Sequence, residues 1–114
     1  MTIIYKIIDR DEWDAARGCG RYAGSADDRR DGFIHFSTEE QVRETAAKHF
    51  AGQSNLVLLA IDDASLDSGL KWEASRGGAL FPHLYKPLPV SSVLRSWPLP
   101  LNEAGAHEFP DDLP

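Results

Sequence analysis

The sequence is short of most features that would assign it quickly. Cys19 is its one cysteine, so an internal disulfide is impossible, and Gly18-Cys19-Gly20 offers no metal-ligand or CxxC spacing. The longest apolar run, Leu56 to Ile61, is far below the roughly 20 residues of a membrane span. The start, Met1 to Lys6, lacks the basic and apolar regions of a signal peptide, so the expected location is cytoplasmic. Basic residues are outnumbered, 12 Lys and Arg against 18 Asp and Glu for a net charge of −6. That balance excludes non-specific nucleic-acid binding, which needs Lys and Arg to neutralise phosphates. The chain has no Walker loop, GxGxxG, HExxH or GxSxG motif. It also has no internal repeat or low-complexity tract.

What is present is the composition of a packed domain. Apolar residues make up 42% of the 114, with three Trp, three Tyr and five Phe. This length holds one domain. Ile3 to Ile8 reads as a strand. Asp9 and Glu12 have capping-box spacing and open a short helix over about Asp11–Arg17, closed by Gly18. Gly18 to Gly32 has no period and reads as a long loop. Within it, Arg29-Arg30 between acidic neighbours reads as a solvated, self-compensated turn.

Phe33 to Ser37 reads as a strand with Phe33, His35 and Ser37 on one face and Ile34 and Phe36 on the other. Thr38 and Gln41 have capping-box spacing for a second helix, Glu39–Phe50. Leu56 to Ile61 has the pattern of a strand covered on both faces. In Leu70 to Ala74, Leu70, Trp72 and Ala74 share one face, and Lys71 and Glu73 the other. Gly77-Gly78 reads as a turn. In Phe81 to Tyr85, Phe81, His83 and Tyr85 share a face, and Pro82 suggests an edge or a strand start. A last strand covers Val90 to Trp97. The segment 98–114 is Pro-rich and acidic and is expected to be extended or frayed. The expected fold is therefore a single α+β domain, mostly antiparallel, with two main helices.

Chemistry points to polar residues set in apolar strands. His35 lies between Ile34 and Phe36, so it is either a hydrogen-bonded core residue or the floor of a site. Ser37 shares its face, although Ser37 also suits a helix N-cap. Glu73 fits a solvated strand face equally well. His83 and Tyr85 also suit an edge strand with wet polar tips. His49 reads as a cation near a helix C-terminus, and His107, in the tail, has no assigned role. Two histidines and a carboxylate, His35, His83 and Glu73, leave a metal site open as an alternative. A non-catalytic binding or interaction module is the other alternative.

The runs Asp31-Gly32-Phe33-Ile34-His35-Phe36-Ser37-Thr38, Gln41-Val42, Trp72-Glu73 and Phe81-Pro82-His83-Leu84-Tyr85-Lys86-Pro87-Leu88 resemble the signature blocks of domain-of-unknown-function family 952 (DUF952). These are small bacterial proteins of about this length, and the resemblance covers 1–97. The family resembles the ADP-ribosyltransferase-like superfamily, a curved, mostly antiparallel α+β fold that clasps NAD. The resemblance implies a cleft for NAD or a related nucleotide-like ligand, and a transferase or hydrolase acting on an ADP-ribosyl or phosphoryl group. It implies His35, Glu73 and His83 as catalytic residues, with Ser37, Thr38, Trp72 and Tyr85 binding the ligand. Whether Glu73 or His83 holds the late catalytic position stays open. A carboxylate there would stabilise the oxocarbenium character that develops on the ribose.

Overall fold

The central strand of the fold is the most apolar run of the sequence. In the computed structural model, which describes residues 2–74, 78–111 and 113, β1 (Ile3–Asp9) pairs antiparallel with β4 (Leu56–Asp62) along its whole length. Strand β8 (Val93–Pro98) pairs antiparallel with the other edge of β4. Flanked on both edges and covered on both faces, Leu56 to Ile61 is fully buried, as its unbroken apolar pattern requires.

Alternation along β1 and β4 sorts the core into two layers. Ile4, Ile8, Val57, Leu59 and Ile61 face one way. They pack on Trp13 and Ala16 of α1 (Arg10–Cys19) and on Tyr22, Ile34, Phe36 and Leu84. Tyr5, Ile7, Leu56, Leu58 and Ala60 face the other way, against Val42 and Ala46 of α3 (Glu39–His49), Trp97 and Leu99.

Two smaller antiparallel sheets complete the domain. One pairs β2 (Arg21–Tyr22) with β7 (Leu88–Pro89). The other has the order β3 (Ile34–His35), β6 (Leu80–Leu84), β5 (Leu70–Ala74). A bridge between Tyr5 and Ser37 links β1 to the end of β3. The domain is α+β and antiparallel throughout its described sheets, as the sequence leads one to expect, but the expected single sheet is divided into three.

Several local expectations are corrected. The 18–32 segment is not an irregular loop. It holds β2 and a third helix, α2 (Ala26–Asp31), capped by Ser25 and ended by Gly32 at φ 89°. Six residues are too few to show a helical period. Helix α1 runs past Gly18 to Gly20, whose φ of 94° makes it the C-cap. The last strand starts at Val93, after a 3-10 turn over Val90–Ser92. Strand β5 does not bury one face, since Trp72 remains 37% exposed. Of the expected Gly77-Gly78 turn, Gly77 lies outside the described residues.

The 98–114 tail is the largest correction. Leu99 is buried and donates its N–H to Leu56 O. Leu101 bridges to His107, and His107 Nε2 lies 2.9 Å from Gln53 O. Phe109 and Leu113 pack on the α3 core layer, and Arg43 sits 5.0 Å over the Phe109 ring. The tail is a strap across α3 rather than a frayed end.

Candidate functional site

The site begins with Lys6. It alternates with Ile4 and Ile8 on β1, so its side chain must enter the apolar layer, and it is only 6% exposed. A buried ammonium requires a partner. Asp28, at the third position of α2 and 2% exposed, supplies it at 2.9 Å. The same carboxylate gathers three further donors. Oδ2 accepts from Ser25 N at 3.0 Å. Oδ1 accepts from His35 N at 3.2 Å and lies 2.6 Å from His35 Nδ1. Burial alone would push the Asp28 carboxyl up, but the His35 hydrogen bond and the Lys6 charge outweigh it. The carboxyl is held well below the usual range. Burial pushes the Lys6 ammonium down, with Asp28 opposing.

Strand register sets the second half. His35 lies directly opposite His83 in the β3–β6 pair, so both rings lie on one face. Lys71 is opposite His83 and Glu73 is opposite Phe81 in the β5–β6 pair, which brings Glu73 onto the same face. His83 Nδ1 is 2.9 Å from Glu73 Oε1, and the Tyr85 hydroxyl donates to that oxygen at 2.6 Å. The Tyr85 bond first, and His83 second, hold the Glu73 carboxyl below the usual range. Its hydrogen bond to Glu73 raises the Tyr85 phenol. Phe33 lies between the two halves, its ring 4.1 Å from His83, 4.6 Å from His35 and 5.3 Å from Tyr85.

The result is two histidines, each held by carboxylate, around one phenylalanine. Lys6, Asp28, His35, Ser37 and His83 line a cleft of about 520 Å³, with Tyr22, Thr45 and Phe81 also in its wall. That volume is in the range of small-molecule sites. A second cavity of about 450 Å³ lies between α3 and the tail, with His107 as its only histidine. It lacks the paired acid–base groups of the first.

Of the residues singled out from sequence, His35, Ser37 and His83 line the cleft, while Glu73 and Tyr85 lie outside its lining and join it through the Glu73–His83 contact. Ser37 is buried, and its Oγ is 3.1 Å from Thr45 Oγ1. Thr38 opens α3, where its N–H donates to Gln41 Oε1 at 3.0 Å, and it does not line the cleft. Trp72 points to the opposite face of β5 from Glu73 and is also outside the lining. His35, His83 and Glu73 do not form a metal set. Among the described residues no group of three His, Cys, Asp or Glu side chains is placed to hold an ion. Reading from sequence missed Lys6, Asp28 and Asp31, whose Oδ2 is 3.0 Å from His35 Nε2.

A family model described as "Protein of unknown function (DUF952)" matches residues 7–96. The chain belongs to the DUF952 family. It is similar to protein CC0527 from Caulobacter crescentus. With the crystal structure of that protein it shares 60% identity over 94% of each chain, at a TM-score of 0.91. With the solution NMR structure it shares 59% identity over 99% of this chain and 97% of that one, at a TM-score of 0.87. No curated protein matches it.

Proposed function

We propose that this DUF952 domain binds a nucleotide-like small molecule, NAD or an ADP-ribosyl or phosphorylated relative, in the cleft that Asp28, His35, Ser37 and His83 line. Transfer or hydrolysis of the ribosyl or phosphoryl group is the activity this reading implies. The observation that carries it is the pair of histidine–carboxylate contacts, Asp28–His35 and Glu73–His83, on one sheet face beside a cleft of about 520 Å³. Polar groups converging on a partly apolar cavity are the usual mark of a ligand site. In this reading His35, His83 and Glu73 are the acid–base set, and Ser37 and Tyr85 supply hydroxyls. Thr38 and Trp72 would take part through a ligand that extends beyond the cleft.

The lining bears on which part of such a ligand enters. Glu12, Asp27 and Asp31 stand on it, and Arg30, its exposed cation, already contacts Asp27 and Asp31. A ribose or an uncharged or cationic ring suits this wall better than a diphosphate does. Calorimetry and thermal shift with NAD, ADP-ribose and nicotinamide test the proposal. Saturable binding of one of them supports it, and no binding at millimolar concentration rejects it.

A second reading has an observation of its own. Asp28 ties Lys6, Ser25 and His35 together, which secures α2 against β1 and β3 whether or not a ligand binds. In that reading the domain is a non-catalytic interaction module and His35 is structural.

A further inference from the structure

The two histidines of the cleft are held differently. His35 has a carboxylate on each ring nitrogen, Asp28 at 2.6 Å from Nδ1 and Asp31 at 3.0 Å from Nε2. His83 has only its Nδ1 taken, by Glu73, and its Nε2 has no hydrogen-bond partner among the described residues. Glu73 is held ionised by Tyr85 and His83, and an ionised carboxylate can only accept. Nδ1 therefore carries the hydrogen, and the neutral ring keeps its lone pair on Nε2. The His83 side chain is 6% exposed yet lines the cleft, whereas Glu73 does not. His83 thus lines the cleft while the carboxylate on its Nδ1 does not, which leaves Nε2 as the ring nitrogen available to a ligand. Phe33, stacked at 28° between ring planes, holds the ring in that plane.

We infer that His83, and not His35, is the proton acceptor of the cleft, that Glu73 is its positioning residue, and that its ligand presents a hydroxyl or N–H donor on an uncharged or cationic group. The ligand class rests on the binding reading above; the assignment of the acceptor stands without it. When a ligand hydroxyl gives up its proton, the O–H bond breaks with its electron pair left on the ligand oxygen, an Nε2–H bond forms from the ring's lone pair, and the ring's positive charge falls against the Glu73 carboxylate. This division of labour, in which a carboxylate orients a histidine and the histidine handles the proton, is the general pattern of acid–base sites. The ligand's uncharged or cationic character follows from Glu12, Asp27 and Asp31 on the lining, which disfavour an anion in the cleft.

Long-range proton–nitrogen NMR of the histidine rings at neutral pH tests the assignment. In the wild-type protein His83 is expected to carry its hydrogen on Nδ1 and none on Nε2. Glu73→Ala is expected to release the ring into a mixture of both tautomers while the amide spectrum stays that of the folded protein. A hydrogen on Nε2 in the wild type, or an unchanged tautomer in Glu73→Ala, overturns the assignment. If that variant does not fold, the wild-type spectrum alone decides. Adenosine and ADP-ribose are then titrated in. A shift of the His83 Nε2 signal, with adenosine bound at least as well as ADP-ribose, supports the ligand class. Binding that leaves Nε2 unmoved, or that needs the phosphates, overturns it. If neither probe binds, the ligand class falls together with the binding reading, and the tautomer still settles the acceptor.

Discussion

Removing the Asp28 carboxylate should be among the most damaging single changes this domain can suffer. Asp28→Ala takes away four accepted contacts, from Lys6 Nζ, Ser25 N, His35 N and His35 Nδ1. It leaves an ammonium that is 6% exposed without its counter-charge. Breaking a buried pair from one side costs about 3–5 kcal/mol, because the remaining charge is uncompensated. For a chain of this length a loss of that size lowers Tm by about 12–20 °C, a large share of the roughly 5–15 kcal/mol that domains possess. Urea denaturation followed by tryptophan fluorescence measures it. The cause is isolated by the double variant Lys6→Met with Asp28→Ala, which removes the stranded charge and should recover half of the loss or more. A single-variant cost below about 1 kcal/mol would refute the argument, since that is the size of an exposed ion pair. So would a double variant less stable than the single.

The same carboxylate sets an acid limit. Its folded pKa is depressed below the ordinary 3.8, so its contribution is complete above that value and is lost as pH falls through the lower folded value. Stability measured below pH 3.8 should fall in the wild type and fall less steeply in Asp28→Ala. Gly24→Ala should cost about 1–3 kcal/mol, read by the same denaturation. Gly24 has φ +109°, and an added Cβ would meet Asp28 Cβ at 2.9 Å, an atom that cannot swing aside. Ending the chain at Trp97 should cost at least about 2 kcal/mol. Leu99 at 1% exposure, together with Phe109 and Leu113, would be lost from the α3 layer. A truncated domain as stable as the full chain would contradict the strap.

Period-two alternation made much of the site legible. Alternation alone puts His35 with Ser37, and His83 with Tyr85, on shared faces, and strand register supplies what sequence does not, the His35–His83 pairing. Lys6 carried the same signal unread: one lysine in step with Ile4 and Ile8 must be buried. Asp28 gave a misleading one. Its neighbours Asp27, Arg30 and Asp31 do compensate one another at the surface, and only tertiary packing tells the buried member of that run from the exposed ones. Alternation held at Trp72, which faces away from Glu73, but β5 lies at the edge of a three-stranded sheet and Trp72 is left partly uncovered. The tail is illegible in sequence for a related reason. Leu99, Phe109 and Leu113 follow no period, and their burial depends on α3, distant in sequence.

The central claim, that the cleft between Asp28, His35 and His83 takes a ligand, is tested most directly by mapping amide shifts during titrations with adenosine and with ADP-ribose. The account predicts saturable shifts concentrated at Asp28, His35, Ser37 and His83, with Arg43, Ala47 and Phe109 around the second cavity unmoved. Shifts confined to that second cavity, or none at millimolar ligand, would contradict it.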